Sequence, residues 1–291
     1  MTTELSPAQL QRFRFIEAQL LWEGCLQRKD LCAAFGLTLN HVTREISGYR
    51  ARYPGFLAYD PEVRAWRATE SFKPQHASGD AQEYLELLLA YSLAHDPAIM
   101  AGAGPALAVE VLPSMQGSIS AQVLRPMVSA ISQRQGVEII YQSFSEDGPQ
   151  RRIIWPQNLV YVLSRWHVRA YDERKARFAD FVLSRIKECG ASVVAADPSA
   201  IDNADAEWKA LVEVAIQPRL ALSKAQQEIV AQQFGMEETP DGWRWSATMR
   251  QCLVKYFLHQ HRLDTAPNGG PGVRVALCDP ALAERYRFSN D

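Results

Sequence analysis

The stretch RKDLCAAFGLTLNHVTREISGYR, residues 28–50, decides how the amino-terminal part of the chain is read. Residues 28–35 predict a short helix with Leu31, Ala34 and Phe35 on one side. Gly36 stops it, because glycine accepts the left-handed backbone that closes a helix. Thr38 is an N-cap for a second helix that runs to about Tyr53, where Pro54 and Gly55 end it. Two short helices joined by a small-residue turn form a helix-turn-helix, whose second helix must offer polar and basic groups to base edges and phosphates. Val42, Ile46 and Tyr49 fall at i, i+4 and i+7, a narrow stripe that packs inward. Thr38, Asn40, His41, Thr43, Arg44, Ser47 and Arg50 are left outside as candidate DNA-contacting positions.

Outward from this stretch, Ser6 and Pro7 open a preceding helix as N-cap and first-turn proline. Leu10, Phe13, Ile16, Ala18, Leu20 and Leu21 recur along it near helical spacing. On the other side, residues 56–59 and 63–68 read as two short strands around a turn at 60–62, which is how a wing looks. Arg64 and Arg67 sit there as candidates for phosphate or minor-groove contact. Residues 1–70 are thus expected to form a winged helix-turn-helix domain. An ordinary amphipathic helix with a solvated face is the bland alternative, and the turn and the wing weigh against it. The segment carries nine Lys and Arg against eight Asp and Glu, a net of 9 − 8 = +1, so the attraction to DNA per protomer is modest. A homodimer reading two half-sites about 34 Å apart recovers affinity through avidity.

Residues 71–120 read as a helical linker: Pro74, Ser78 and Gly79, an apolar helix at 80–94, then a small-residue, proline-punctuated connector at 98–117. A helix at 122–135, closed by Gly136, opens the next domain, 121–190. Strands are expected at 137–141, 151–163, 166–171 and 178–186, with turns at 148–149 and 172–175. Such short, turn-separated strands suit a small, strongly bent antiparallel sheet or barrel. A linker at 195–206 precedes a last domain, 208–291, with strands at 211–216, 243–248 and 273–277. Between them lie a helix from Ser223, carrying Ile229, Val230 and Phe234, and another through Leu253 and Leu258. A glycine-rich loop at 268–272 completes this small α+β unit, and the fold class of the whole chain is α+β.

The sharpest string is Arg165-Trp166-His167-Val168-Arg169-Ala170-Tyr171, followed by Phe181-Val182-Leu183-Ser184-Arg185-Ile186. On a strand, Trp166, Val168 and Ala170 share one face, and Arg165, His167, Arg169 and Tyr171 the other. Arginines gathered with serine and aromatic side chains suit an anionic ligand, since a guanidinium offers paired donors to phosphate. Residues 151–187 hold nine Lys and Arg against three Asp and Glu, a net of 9 − 3 = +6. The competing reading is a buried polar network in which Arg169 pairs with Asp180 or Glu173 and Trp166 belongs to the core.

With Pro156-Gln157-Asn158-Leu159-Val160-Tyr161 before it, this string resembles WYL-domain regulators of the BrxR/CapW type, which are associated with phage-defence islands. The resemblance extends over nearly the whole chain. It implies a homodimeric transcriptional repressor with an Sm-like barrel in its WYL domain and a C-terminal WCX-type dimerisation domain. It also implies an anionic ligand, a single-stranded nucleic acid or nucleotide, sensed through Tyr141, Ser143, Trp166, His167, Arg169, Ser184 and Arg185. The family's Trp-Tyr-Leu triplet stands here as Trp166-His167-Val168, and Gln157 replaces a histidine that many relatives carry after the proline.

Bulk properties agree with a cytoplasmic regulator. The 291 residues carry a net charge of −2, and five scattered cysteines form no Cys-x-x-Cys pair, as expected of free thiols in a reducing compartment. No apolar run suggests a signal peptide or a membrane span. His259 and His261 lack cysteine or carboxylate partners at metal-ligand spacing, and no nucleophile elbow or phosphate-binding glycine loop is present, so neither enzyme chemistry, metal nor cofactor is expected. A single-strand-binding accessory protein and a signalling adaptor without specific DNA reading are the two rival functions.

Overall fold

The computed structural model describes residues 4–94, 109–113, 115–193, 205–264 and 272–288. The chain divides into two units, Met1–Pro113 and Ser114–Asp291. The expected connector at 98–117, the linker at 195–206 and the glycine-rich loop at 268–272 fall largely outside the described residues.

In the first unit, α1 (Pro7–Ala18) begins at a capping box in which Ser6 and Gln9 exchange backbone contacts. It runs into a π-helical turn, Gln19–Glu23, that ends at Gly24. β1 (Cys25–Leu26), α2 (Arg28–Phe35), α3 (Leu39–Arg52), β2 (Leu57–Asp60) and β3 (Ala65–Ala68) follow. Gly36 closes α2 at φ 63°, in the left-handed region where a side chain is disfavoured. The Thr38 hydroxyl accepts the His41 N–H at the start of α3, 3.4 Å away. β2 and β3 form the wing, and β1 extends it into a sheet of order β1-β3-β2. The core gathers Phe13, Phe15, Ile16, Leu26, Leu31, Val42, Ile46 and Tyr49.

A carboxylate is built into this core. Glu17 is fully buried, and it accepts the Tyr49 hydroxyl at 2.8 Å. It also accepts the backbone N–H groups of Gln75, His76 and Ala77 at 2.8, 2.6 and 2.8 Å. Four donors offset the cost of removing this group from water and fasten the chain after the wing onto α1. α4 (Ala81–Ala94) then sets Tyr84 and Leu88 against Trp22, with the Tyr84 and Trp22 rings stacked at 5.1 Å.

The second unit starts with α5 (Ala121–Gln133), capped by Ser120. β4 (Gly136–Tyr141), β5 (Gln150–Val162), β6 (Arg165–Asp172), β7 (Arg177–Val182) and β8 (Ile186–Val193) build an antiparallel sheet of order β7-β6-β5-β4-β8. β7 and β8 lie at opposite ends of that order, yet only the 3-10 turn Leu183–Arg185 separates them in sequence. Three residues span about 10 Å, so the sheet must curl until its edges meet, which is the topology of a small barrel. The shift in register between Pro156 and Asn158 bends the long β5 accordingly. Val123, Met127 and Ala130 of α5 fill the barrel's open side against Ile139, Ile154, Val168, Ala170 and Phe181.

Two expectations are corrected here. The strand expected over 178–186 breaks at Leu183, because the sheet has to turn a corner there, and β8 is a separate strand. Arg134, at φ 53°, closes α5 instead of Gly136. Gly136 opens β4, where a Cβ would lie 2.9 Å from the Trp155 ring, so its glycine serves packing.

The C-terminal part comprises α6 (Ala206–Lys209), β9 (Leu211–Pro218), α7 (Lys224–Phe234), β10 (Glu237–Thr239), β11 (Gly242–Arg250), α8 (Gln251–Gln260), β12 (Val275–Leu277) and α9 (Ala281–Arg285). Its sheet has the order β10-β11-β9-β12. Ser223 caps α7 with a capping box. Of the three apolar residues assigned to that helix, Val230 is buried whereas Ile229 is 59% exposed and Phe234 37%. Ala231 takes the inward position beside Val230 instead.

Candidate nucleic-acid interface and ligand face

α3 presents the expected surface. Val42, Ile46 and Tyr49 are buried, while Thr38, Asn40, Thr43, Arg44, Ser47 and Arg50 are exposed. His41 is half-buried, its Nε2 3.2 Å from Glu45. Glu45, which sequence reasoning passed over, is buried between His41 and the Arg12 guanidinium at 2.8 Å. Its partner comes from α1, 33 residues away, and no local pattern announces such a pair. With Glu17 and Glu45 turned inward, the outer face of α3 is more basic than the net charge of the segment suggests.

The Arg50 guanidinium lies 4.6 Å over the Trp66 ring, which joins α3 to the wing. Between them runs a cleft of about 470 Å³ lined by Arg28, Thr43, Ser47, Arg50, Tyr59 and Trp66. In the wing, Arg67 donates to Asp60 at 2.7 Å, which pins the hairpin. Arg64 occupies the exposed turn at φ 53°.

The residues of the WYL string separate into two groups. Ser143, Trp166, Ser184 and Arg185 are at least partly exposed. Trp166 is 42% exposed, against the competing reading that placed it in the core; its ring leans on exposed Tyr161 at 5.0 Å. Arg185 lies 4.2 Å over Phe144, itself 90% exposed, and the Ser143 hydroxyl is 3.0 Å from that of Ser145. The segment before α5 crosses this face. Gln116 donates to the Tyr161 hydroxyl at 2.8 Å, and a Cβ on Gly117 would lie 3.0 Å from Ser184.

Tyr141, His167 and Arg169 are buried instead. The Tyr141 hydroxyl accepts the Val182 N–H at 3.3 Å inside the barrel core. His167 sets its Nδ1 3.2 Å from the Arg165 carbonyl and its ring 5.6 Å from Tyr256 of α8. Burial holds the His167 imidazole below its ordinary range, against the pull of the Arg165 carbonyl and Asp180. Arg169 is 1% exposed and enclosed by carboxylates: Asp205 at 2.6 and 2.9 Å, Glu207 at 2.9 Å and Asp180 at 3.3 Å. Burial disfavours that cation, and the three carboxylates outweigh it, so Arg169 stays protonated. Asp180 also accepts the Tyr256 hydroxyl at 2.9 Å.

The alternation read along β6 therefore holds, but the face with His167 and Arg169 packs on α6 and α8 instead of opening to a ligand. The Asp180 pairing foreseen for Arg169 is present, with Asp205 and Glu207 added from beyond the barrel. The net of +6 over 151–187 is compensated in the same way. Arg152 is buried between Asp172 and Glu146, Arg151 meets Glu138 at 2.6 Å, and Arg174 meets Glu146 at 3.0 Å. Among the described residues no three metal-ligating side chains cluster, and no helix is long and apolar enough to cross a membrane. His259 pairs with Asp264 at 2.8 Å.

Comparison with known proteins agrees with this layout part by part. Residues 8–90 match the winged helix-turn-helix domain of the BrxR transcriptional regulator, 122–190 the WYL domain, and 211–280 the BrxR C-terminal dimerization domain. The DNA-binding transcriptional repressor CapW of Pseudomonas aeruginosa is 32% identical over 273 residues, covering 92% of this chain and 88% of the relative. CapW of Escherichia coli strain KTE188 is 29% identical with the same coverage of both chains. That of Stenotrophomonas maltophilia is 29% identical over 261 residues, covering 88% and 84%.

Proposed function

Because the chain belongs to the BrxR/CapW family of transcriptional repressors, we propose that it is a homodimer reading a palindromic operator through paired copies of α3. The observation that carries this reading is the division of α3 itself. Its apolar stripe is wholly buried, and Asn40, Thr43, Arg44, Ser47 and Arg50 are exposed on the other side, with His41 half-exposed among them. Thr38, Asn40, His41, Thr43, Arg44, Ser47 and Arg50 take the groove, with Arg64 and Arg67 on the flanking backbone. The regulated operon is a phage-defence operon, as the family resemblance implies. Measuring affinity for the region upstream of its own gene tests this. Arg44→Ala and Arg50→Ala are each expected to lose about 1–3 kcal/mol of specific binding. Unchanged sequence-specific affinity in both would favour a signalling adaptor.

Control comes from the exposed face formed by Ser143, Trp166, Ser184 and Arg185. It offers one guanidinium, hydroxyls and stacking surfaces, which suit a nucleotide or single-stranded nucleic acid. A ligand there competes with Gln116 for Tyr161 and presses on the strand of chain at Gly117, shifting the population between DNA-binding and released states. Arg169, enclosed by carboxylates, acts as a strut and not as a contact. In this scheme Arg185→Ala leaves operator affinity intact and abolishes the response to an oligonucleotide effector. Loss of operator affinity in that variant would contradict it.

A further inference from the structure

We propose that the C-terminal part carries a second anion site, separate from the Trp166 and Arg185 face, that takes a phosphate ester of about mononucleotide size. The site is a cleft of about 460 Å³ whose walls include Glu207, Lys255, Arg285, Tyr286, Arg287 and Phe288. Three cations and one carboxylate give its rim a net of 3 − 1 = +2. Among the described residues, neither Arg285 nor Arg287 has a carboxylate partner, and both are exposed. Lys255 is 3.5 Å from Asp180, a carboxylate that also serves Arg169 and Tyr256, so its charge is only partly spent there.

α8 adds to the field. Gln251 and Cys252 of its first turn line the cleft, and no side chain caps the helix; the Ala210 carbonyl takes the Gln251 N–H at 2.9 Å, and the field of the helix start still favours an anion there. Forked guanidinium donors over a helix start are the chemistry that holds a phosphate dianion. Phe288 and Tyr286 supply apolar rings beside it, and the volume lies in the range of small-molecule sites, far more than a bare phosphate fills. Glu207 is both a wall of the cleft and a partner of Arg169 at 2.9 Å. An anion bound here would therefore be sensed by the cluster that joins barrel to C-terminal part.

Isothermal titration of the full chain with adenosine monophosphate, glucose 6-phosphate, inorganic phosphate and adenosine tests this. Both phosphate esters, or the nucleotide alone, are expected to bind, adenosine is not, and inorganic phosphate binds more weakly than the ester. The double variant Arg285→Ala, Arg287→Ala is expected to weaken binding of glucose 6-phosphate, and of the nucleotide at this site, by roughly tenfold or more. Both arginines are exposed, and an unchanged melting temperature shows that the variant is folded. Absence of ester binding to the wild type, or equal affinity in the double variant, would each overturn the proposal.

Discussion

Glu45 is gripped from two sides, by Arg12 at 2.8 Å and His41 at 3.2 Å, so removing it leaves a largely buried guanidinium without its anion. Glu45→Ala is expected to lower stability by about 1–3 kcal/mol in urea unfolding. A change within the scatter of ordinary surface variants would mean that the pair holds nothing. His167 yields a prediction in pH. Burial, opposed by the Arg165 carbonyl and Asp180, keeps its folded pKa below the ordinary 6.5. The folded chain then binds fewer protons than the unfolded one, so the contribution of His167 is complete above 6.5 and is lost as the pH falls through the lowered value. Unfolding midpoints of the wild type should drop from about pH 7.5 to about pH 5 by more than those of His167→Gln. Parallel profiles would show that the imidazole is not held neutral. Neither residue's environment is written wholly in the local sequence: Arg12 of α1 and Tyr256 of α8 complete the surroundings of Glu45 and His167.

At the scale of elements, local chemistry was a good guide wherever it was decisive. Gly36, Thr38 and the capping boxes at Ser6 and Ser223 fixed helix ends within a residue, because each satisfies or terminates backbone groups on its own. Thr38→Ala is expected to cost about 1 kcal/mol, read from thermal unfolding. What escaped was set by distant pairing. β1 is two residues long and shows no alternation, and β8 is told from β7 only by the need to close a barrel. Gly136 reads as a helix stop in sequence and turns out to be space for Trp155. Gly136→Ala should therefore destabilise by about 1–3 kcal/mol through overpacking, and a neutral effect would contradict that packing role.

For the molecule as a whole, the barrel and the C-terminal part are joined by charge. Asp205 is 2% exposed and supplies two of the contacts to Arg169, so Asp205→Ala would leave an underpaired cation inside the protein. A loss of about 3–5 kcal/mol is expected in chemical unfolding of the full chain, and a near-neutral result would remove Arg169 as a strut. This explains why the ligand face was only half readable. The alternation along β6 was visible, but the acids that neutralise its arginines lie up to 38 residues away, so a count over one window mistook internal pairing for an open basic surface.

The central claim is that two copies of α3 lie in successive grooves of one duplex, about 34 Å apart. Analytical ultracentrifugation on a symmetric operator, and on one with about five base pairs inserted between the half-sites, tests it most directly. Two protomers per intact operator and a collapse of affinity on the half-turn insertion are predicted. One protomer per duplex, or indifference to the insertion, would contradict the account.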